Sequence, residues 1–506
     1  MGGQGMSLLG LDIGTTGAKA VVFKENGEVI GKSYREYPLY VPSPDQCEID
    51  PGEVWEAVKQ VVPAAVKQAG TIDPVRAVGI STLGDSVTPI DKNGNFLTRT
   101  VIGAADRRAV QQARWIEGRF TREELFEKTC APLHAFCTLP KAMWFRESRP
   151  DIFDRIWKFA GWQEIAHLKM GLDPAMDYSL ASHTMLMDIQ SKSYFQELIH
   201  TCGLNTDHFF PLAPSDSILG RLSADRAGIL GLTGGTAVVA GGFDQCCCAL
   251  GAGLLDTESA AISVGTLEGI TAIADTYRPD SALLEGNHGL GFYIIEGLFS
   301  TLAYVTTSGA ILRWYRDTLG TAEVQEAKSQ GKSPYEIMID STPDRPSGIF
   351  IMPYFAGSGT PWLDSNQRGT VFGLTLDTDR SEIIKGILDC ICYEVRVNLD
   401  SLEAAGFRIK KLRAIGGGAR SERWMQLKAD ITGLPVETTD VTEAGCLGAA
   451  FLAGLGSGVF SSSGDILEIT KIRHVYEPRT AMKQSYDEAY RKYCELRSRV
   501  EGLVLD

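Results

Sequence analysis

One succession of elements occurs twice in this chain, and it constrains the fold more than any single motif does. Residues 7–13 (SLLGLDI) are a short apolar run ending near an acid, and a turn of Gly and Thr leads into a second run at 18–23 (AKAVVF). Glu25-Asn26-Gly27-Glu28 separates this from a third run at 29–37. Asn-Gly between two β-rich segments signals a hairpin, because both residues tolerate positive φ. The spacing predicts three consecutive antiparallel strands. Residues 51–70 predict a helix: Val54, Val58, Val61 and Ala65 recur on one face, Pro51 suits a first turn and Gly70 a stop. A strand follows at 75–82 (VRAVGIST). This is not the dinucleotide-binding order, in which a helix directly follows the first strand.

The pattern returns after residue 253. Strands are predicted at 259–265, 267–274 and 291–299, then a helix at 306–319, a strand at 348–355, a helix at 381–405, a strand at 411–416, and helices from 421 and over 443–455. We expect an internal duplication: two α/β domains, 6–253 and 254–506. At roughly 100–200 residues per domain the length allows it, and 44% hydrophobic residues suffice for large cores.

A formal net charge of −14 argues against a nucleic-acid partner, since no basic field favours a phosphate backbone. It leaves room for a nucleotide, which backbone N–H groups and one cation can hold. No stretch reaches the roughly 18 apolar residues of a membrane span, and the Gly-rich start lacks the Lys or Arg of a signal peptide. The eleven cysteines show no paired C-x-x-C, and the seven histidines no H-E-x-x-H. Reduced thiols in a cytoplasmic protein are expected, with Cys246, Cys247 and Cys248 as small apolar fillers.

Several nucleotide motifs fail on spacing. Gly31-Lys32-Ser33 and Gly331-Lys332-Ser333 resemble the tail of a P-loop, but Asn26 and Glu326 stand where its first Gly belongs. The turn Asp12-Ile13-Gly14-Thr15-Thr16-Gly17-Ala18-Lys19 is different. Its N–H groups can form a nest for phosphate oxygens, Lys19 adds a charge, and Asp12 can hold Mg²⁺ through water. An ordinary hairpin with a polar turn fits the same spacing equally well.

The residues around this turn resemble the first phosphate loop of the FGGY carbohydrate kinases, within the actin and hexokinase superfamily. Further marks follow in that family's order. Gly241-Gly242-Phe243-Asp244-Gln245 resembles its catalytic loop, Gly265-Thr266 its second phosphate loop, and Ser308-Gly309 its helix beside the nucleotide. Gly369 to Leu374, with Glu382 and Asp389, resembles its C-terminal signature, and Gly416-Gly417-Gly418-Ala419-Arg420-Ser421 its adenosine loop. The resemblance spans about residues 8–460. It implies two ribonuclease-H-like (actin-like ATPase) domains with a cleft between them, and ATP-dependent phosphorylation of a primary hydroxyl on a sugar or polyol.

The resemblance also implies roles. Asp244 is the expected general base; an Asp in this place can equally cap a helix. Asp12 is assigned to Mg²⁺, and Gly14, Thr15, Thr16, Lys19, Gly265 and Thr266 to the phosphates of ATP. Gly309, Gly417 and Ser421 match positions lining the nucleotide. For the acceptor, Asp85 stands where glycerol kinases carry Glu and xylulose kinases His, and Asp106-Arg107-Arg108 resembles the sugar-contacting D-x-R of ketose kinases. Gln245 is expected beside the reacting end. Gly84 replaces an Arg and Phe136 a Tyr of the glycerol site, so glycerol is disfavoured, and a ketose or polyol of four to six carbons, such as a xylulose-like ketopentose, is expected. A kinase-derived sugar-binding regulator and a chaperone-like ATPase are the rival readings, and a homodimer is left open.

Overall fold

In the computed structural model, residues 6–70, 74–103 and 106–500 are described. The first three strands are β1 (Ser7–Ile13), β2 (Gly17–Lys24) and β3 (Val29–Glu36). They pair antiparallel in sequence, with Gly27 at φ 82° in the second hairpin. Helix α1 (Pro51–Ala69) follows; the Asp50 side chain accepts from the N–H groups of Gly52 and Glu53, and Gly70 closes the other end. Its expected face is buried: Val54, Val58, Val61 and Ala65 are at most 2% exposed. Burying such a side chain stabilises by about 1.5–3 kcal/mol, so tertiary packing, more than propensity, holds this helix.

After β4 (Val75–Thr82) the chain leaves the sheet for a helical insertion that includes α2 (Thr138–Ser148). It returns as β5 (Ile218–Arg221), β6 (Ala237–Val239) and β7 (Gly242–Phe243), and α3 (Asp244–Gly251) ends the first half. The second half supplies β8 (Ser259–Val264), β9 (Glu268–Ala274), β10 (Gly291–Phe292), β11 (Phe299–Val305), α4 (Gly309–Thr318) and α5 (Arg380–Ala404). It continues with β12 (Lys411–Ile415), α6 (Glu422–Thr432), β13 (Val436–Thr439), α7 (Ala444–Gly456) and β14 (Ile472–Tyr476).

The sheet orders establish the duplication. The first sheet runs β3-β2-β1-β4-β6-β5, with β7 beside β4, and the second runs β10-β11-β9-β8-β12-β13-β14. In both, antiparallel pairings lead to the domain's first strand (two in the first sheet, three in the second, where β10 is added at the edge), two parallel pairings follow, and an antiparallel strand closes the other edge. The expected single strand at 291–299 is corrected. A turn intervenes, with Gly297 at φ 83° and the Tyr293 N–H donating to the Leu298 carbonyl, so β10 and β11 form a hairpin.

One helix from each half packs at the junction of the two sheets, α3 against α7. α7 lies on β1 and β4 of the first sheet, and α3 reaches β8 and β9 of the second. The approach is close enough to demand glycine. A Cβ on Gly79 would stand 1.8 Å from the Ala449 carbonyl oxygen, and one on Gly448 2.0 Å from that of Cys247. Leu8, Val21, Cys246, Cys247, Ala261, Ile415, Leu447 and Phe451 share one core between the sheets. All eleven cysteines are free. Among the described residues, no helix is long and apolar enough to cross a membrane.

Candidate active site

Three acids come to one edge of the first sheet because β1, β4 and β7 run parallel. Asp12 pairs with Ser81, and Ser81 with Gly242, so the chain leaves all three strands at the same level. Asp12 is at the end of β1, Asp85 follows β4, and Asp244 follows β7. The carboxyl ends of parallel strands are where open α/β sheets build ligand sites. The Ser81 hydroxyl donates to Asp12 Oδ1 at 2.7 Å. Burial raises the Asp12 pKa, while Ser81 and the Lys19 ammonium oppose it.

Asp244 is half-buried and is the first residue of α3. The N-cap is Phe243, which makes no side-chain cap bond, so Asp244 stands one place past the cap position, where its carboxylate accepts from the Gln245 backbone N–H. Burial, with the Asp12 charge second, pushes the Asp244 carboxyl up to about 7. A carboxylate near neutrality is matched to proton transfer at physiological pH.

The first turn is a tight hairpin in which the Gly14 N–H donates to the Gly17 carbonyl at 3.1 Å and the Tyr37 hydroxyl holds the Gly14 carbonyl. Thr15 and Thr16 are exposed at its tip. Beside it a recess of about 330 Å³ is lined by Asp12, Lys19, Gln245, Gly265, Thr266 and Gly417, among others. Lys19 forms an ion pair there with Glu443 at 2.8 Å. Gln245 is placed in this recess, its Oε1 accepting from the Ser263 hydroxyl at 3.4 Å at the end of β8, so its side chain reaches the second half. Asp12 offers the hard oxygen that Mg²⁺ prefers. Among the described residues no cluster of three or more His, Cys, Asp or Glu side chains could hold a metal by itself, so the remaining ligands would come from phosphate and water.

The recess opens into a cleft of about 1,260 Å³ in the second half, and both are lined by Val264, Gly265, Thr266 and Gly417. Gly309 and Ser421 also line the cleft. The second turn is fastened to α4, since the Gly309 N–H donates to the Gly265 carbonyl at 2.9 Å and the Ala310 N–H to that of Thr266 at 3.0 Å. A Cβ on Gly309 would stand 2.6 Å from the Gly265 oxygen, so this glycine serves the fold, whereas a Cβ on Gly417 would meet nothing within 4 Å. Under the turn, Glu268 accepts from Ser308 and Lys428, and both members of the ion pair are fully buried. Ser421 caps α6. Sequence reasoning missed Tyr335, Lys385 and Tyr486 in the cleft wall. Lys385 pairs with Asp389, which the motif did mark.

The expected acceptor residues divide. Asp85 has φ 55°, and its Oδ1 accepts from the Thr138 N–H at 3.2 Å and hydroxyl at 3.4 Å at the start of α2. Its carbonyl accepts from Lys141 at 2.7 Å. Burial raises its pKa, and Lys141 opposes the shift. The ring of Phe243, next to Asp244, packs against Gly84 and stands 4.6 Å from His183. Phe136 stacks on His134 at 4.1 Å. Ala104 and Ala105, in the stretch where relatives carry Trp, lie outside the described residues.

Asp106 as a substrate contact is corrected. It is 0% exposed. Its oxygens accept from the Cys47 N–H at 2.7 Å and from the Arg108 guanidinium at 2.7–2.9 Å, and Arg108 also holds Glu48. This pair ties the insertion to the first domain. Removing one member of a buried pair costs about 3–5 kcal/mol. Asp106→Ala is therefore expected to lower Tm by about 5 °C or more in differential scanning fluorimetry. An unchanged Tm with a raised acceptor KM would restore the substrate role.

Comparison with known proteins agrees with this geometry. Residues 7–251 match the model of the FGGY family of carbohydrate kinases, N-terminal domain, and residues 260–457 that of the C-terminal domain. The chain is 30% identical over 459 residues to a gluconokinase of Bacillus subtilis, covering 90% of this chain and 88% of that protein. It is 27% identical over 503 residues to a xylulose kinase of Staphylococcus epidermidis, covering 99% and 98%. A crystal structure of gluconate kinase from Lactobacillus acidophilus superposes with a TM-score of 0.89 at 22% identity over 99% of both chains, which shows the shared fold.

Proposed function

This chain belongs to the FGGY family of carbohydrate kinases, and we propose on that footing that it transfers the γ-phosphoryl group of Mg-ATP to a primary hydroxyl at the end of a four- to six-carbon ketose or polyol, a xylulose-like ketopentose first among them. The observation that carries the reading is the placement of Asp12, Asp85 and Asp244 at the carboxyl ends of neighbouring parallel strands, with Asp12 lining a recess that Gly265 and Thr266 complete. We place the domain boundary between Gly253 and Ser259.

Phosphoryl transfer depends on positioning, charge neutralisation and a place for the alcohol proton. In this reading Asp244 accepts that proton. Thr15, Thr16 and the N–H groups around Gly14, Gly265 and Thr266 hold phosphate oxygens, with Lys19 as the cation. Asp12 holds Mg²⁺ through water; bound there, the metal would neutralise charge on the transferring group. Gly309, Gly417 and Ser421 line the place of the nucleoside. Gln245 bridges the base and the phosphate turns. Asp85 keeps a carboxylate toward the acceptor beside Phe136.

A second reading, a sugar acid of similar length, is favoured by the burial of Asp106, which removes the ketose-type carboxylate from the pocket. Relatives named gluconokinase point the same way. A coupled ADP-release screen over ketoses, polyols and aldonates tests both. Turnover is expected with one of the longer acceptors, and glycerol as the best acceptor would overturn the pocket assignment. Asp85→Ala should lower kcat/KM for the preferred acceptor by roughly ten- to a hundredfold, as the loss of a charge-assisted hydrogen bond would. A change within twofold, with a lower Tm, would leave Asp85 only its bonds to α2.

A further inference from the structure

Glu443 is placed in the phosphate recess although it belongs to no phosphate motif. It is the N-cap residue of α7, yet no side chain caps that helix. Its side chain, 13% exposed, instead reaches Lys19 at 2.8 Å, a residue 424 positions away on β2 of the other half. Its second oxygen stands 3.7 Å from the more exposed Lys32. α7 is seated on the first sheet, and its start lies beside Asp12, since a Cβ on Gly445 would stand in ordinary contact, 3.7 Å, with the Asp12 carboxyl.

Lys19 also faces Asp12 across the β1–β2 ladder. Its ammonium thus serves two carboxylates in a recess that Gly265 and Thr266 complete. Burial alone would make that ammonium easier to deprotonate, and Glu443 outweighs it. An incoming polyphosphate competes with Glu443 for the same three N–H donors. Were Glu443 absent, the phosphates would meet a cation already stripped of much of its water, with one repelling carboxylate fewer.

We propose that Glu443 is a positioning residue that exchanges Lys19 with the nucleotide: it holds the ammonium in the recess before binding, yields it to phosphate oxygens during transfer, and takes it back as ADP leaves. The pair thereby weakens ADP retention and favours turnover. The inference rests on the proposed placement of the phosphates beside Lys19.

Equilibrium ADP binding by calorimetry on the full-length protein, with and without Mg²⁺, tests it. Glu443→Gln is expected to tighten ADP roughly fivefold or more, the scale at which close charge pairs couple in such sites. Glu443→Asp, with a shorter reach, should shift affinity less and in the same direction, and it serves if the Gln variant does not fold. Lys19→Met should weaken ADP, and adding Glu443→Gln to it should tighten ADP by less than Glu443→Gln does in the wild-type background. Steady-state kcat should fall more than the single-turnover rate in Glu443→Gln, which a merely structural loss would not produce. Unchanged or weaker ADP binding in Glu443→Gln, with Lys19→Met still impaired, overturns the exchange alone. Unchanged ADP binding in Lys19→Met overturns the phosphate placement and this inference with it.

Discussion

Asp244→Asn is expected to reduce single-turnover phosphoryl transfer by roughly 10²–10⁴-fold, the usual contribution of a general base, while ATP affinity stays within a few-fold. The amide keeps the size and position of the side chain at the start of α3 but cannot take the alcohol proton. In the wild type, burial and the Asp12 charge push Asp244 up to about 7, so kcat/KM should rise with pH through an inflection near that value. The same shift acts on stability with the opposite sense. An unfolded Asp titrates near 3.8, so between there and 7 the folded chain binds more protons than the unfolded one. Stability contributed by the neutral carboxyl is therefore present at low pH and lost as pH rises toward 7. Asn, which carries no charge, should raise Tm at pH 8 by about 2–5 °C and have a smaller effect at pH 5. A variant that keeps more than about a tenth of single-turnover activity would remove Asp244 from the role.

How far this site could be read from residues alone depended on the range of the interactions involved. β1 to β4 and α1 follow from signals within a few residues: the Asn26-Gly27 turn, the Val54-Val58-Val61 face, the Asp50 cap. The 291–299 run failed because its apolar residues outweigh the single Glu296-Gly297 pair that marks the reversal splitting it. The positions of Asp12 at the end of β1 and of Asp244 directly after β7 were legible because each stands beside a recognisable small-residue turn. Asp106 was misplaced for a reason no local spacing reveals. Its partners are Arg108 two residues on and the Cys47 amide 59 residues back, and only the folded insertion shows that they use up the carboxylate. Gln245 likewise turns to Ser263, across the junction of the two halves. Gly309 matches a position lining the nucleotide, but its need for glycine comes from the Gly265 carbonyl, whose oxygen would stand 2.6 Å from a Cβ there. Glu443 had no sequence signal beyond its place before a small-residue helix.

The shared core also bears on how the site works. Because α3 and α7 pack together at the junction of the two sheets, the acids of one half and the turns of the other are anchored to a single helix pair. Gly448 of α7 lies against α3, and Gly79 of β4 against α7, with no room for a side chain at either contact. Packed helices move by small shear displacements rather than free rotation. The catalytic geometry is therefore set largely by backbone contacts that cannot relax independently.

Asp12→Asn carries the second large expectation. Asp12 lines the recess with Lys19, Gly265 and Thr266, its Oδ1 accepting from the Ser81 hydroxyl at 2.7 Å. A hard divalent cation prefers anionic oxygen, and the amide oxygen of Asn is a weaker, uncharged ligand even through water. Burial raises the Asp12 pKa, so holding it ionised beside Lys19 costs stability that only a metal-bound complex repays. Asn should accordingly fold at least as well as the wild type at pH 8. Its rate at saturating ATP and acceptor should fall by roughly 10²-fold, comparable to losing one strong electrostatic contact to the transferring group. Isothermal titration with Mn²⁺ and ADP should show weaker metal-dependent nucleotide binding, while metal-free ADP affinity and acceptor binding stay within a few-fold. Undiminished turnover in Asp12→Asn, or activity that survives excess EDTA in the wild type, would remove both the metal and Asp12 from the reaction.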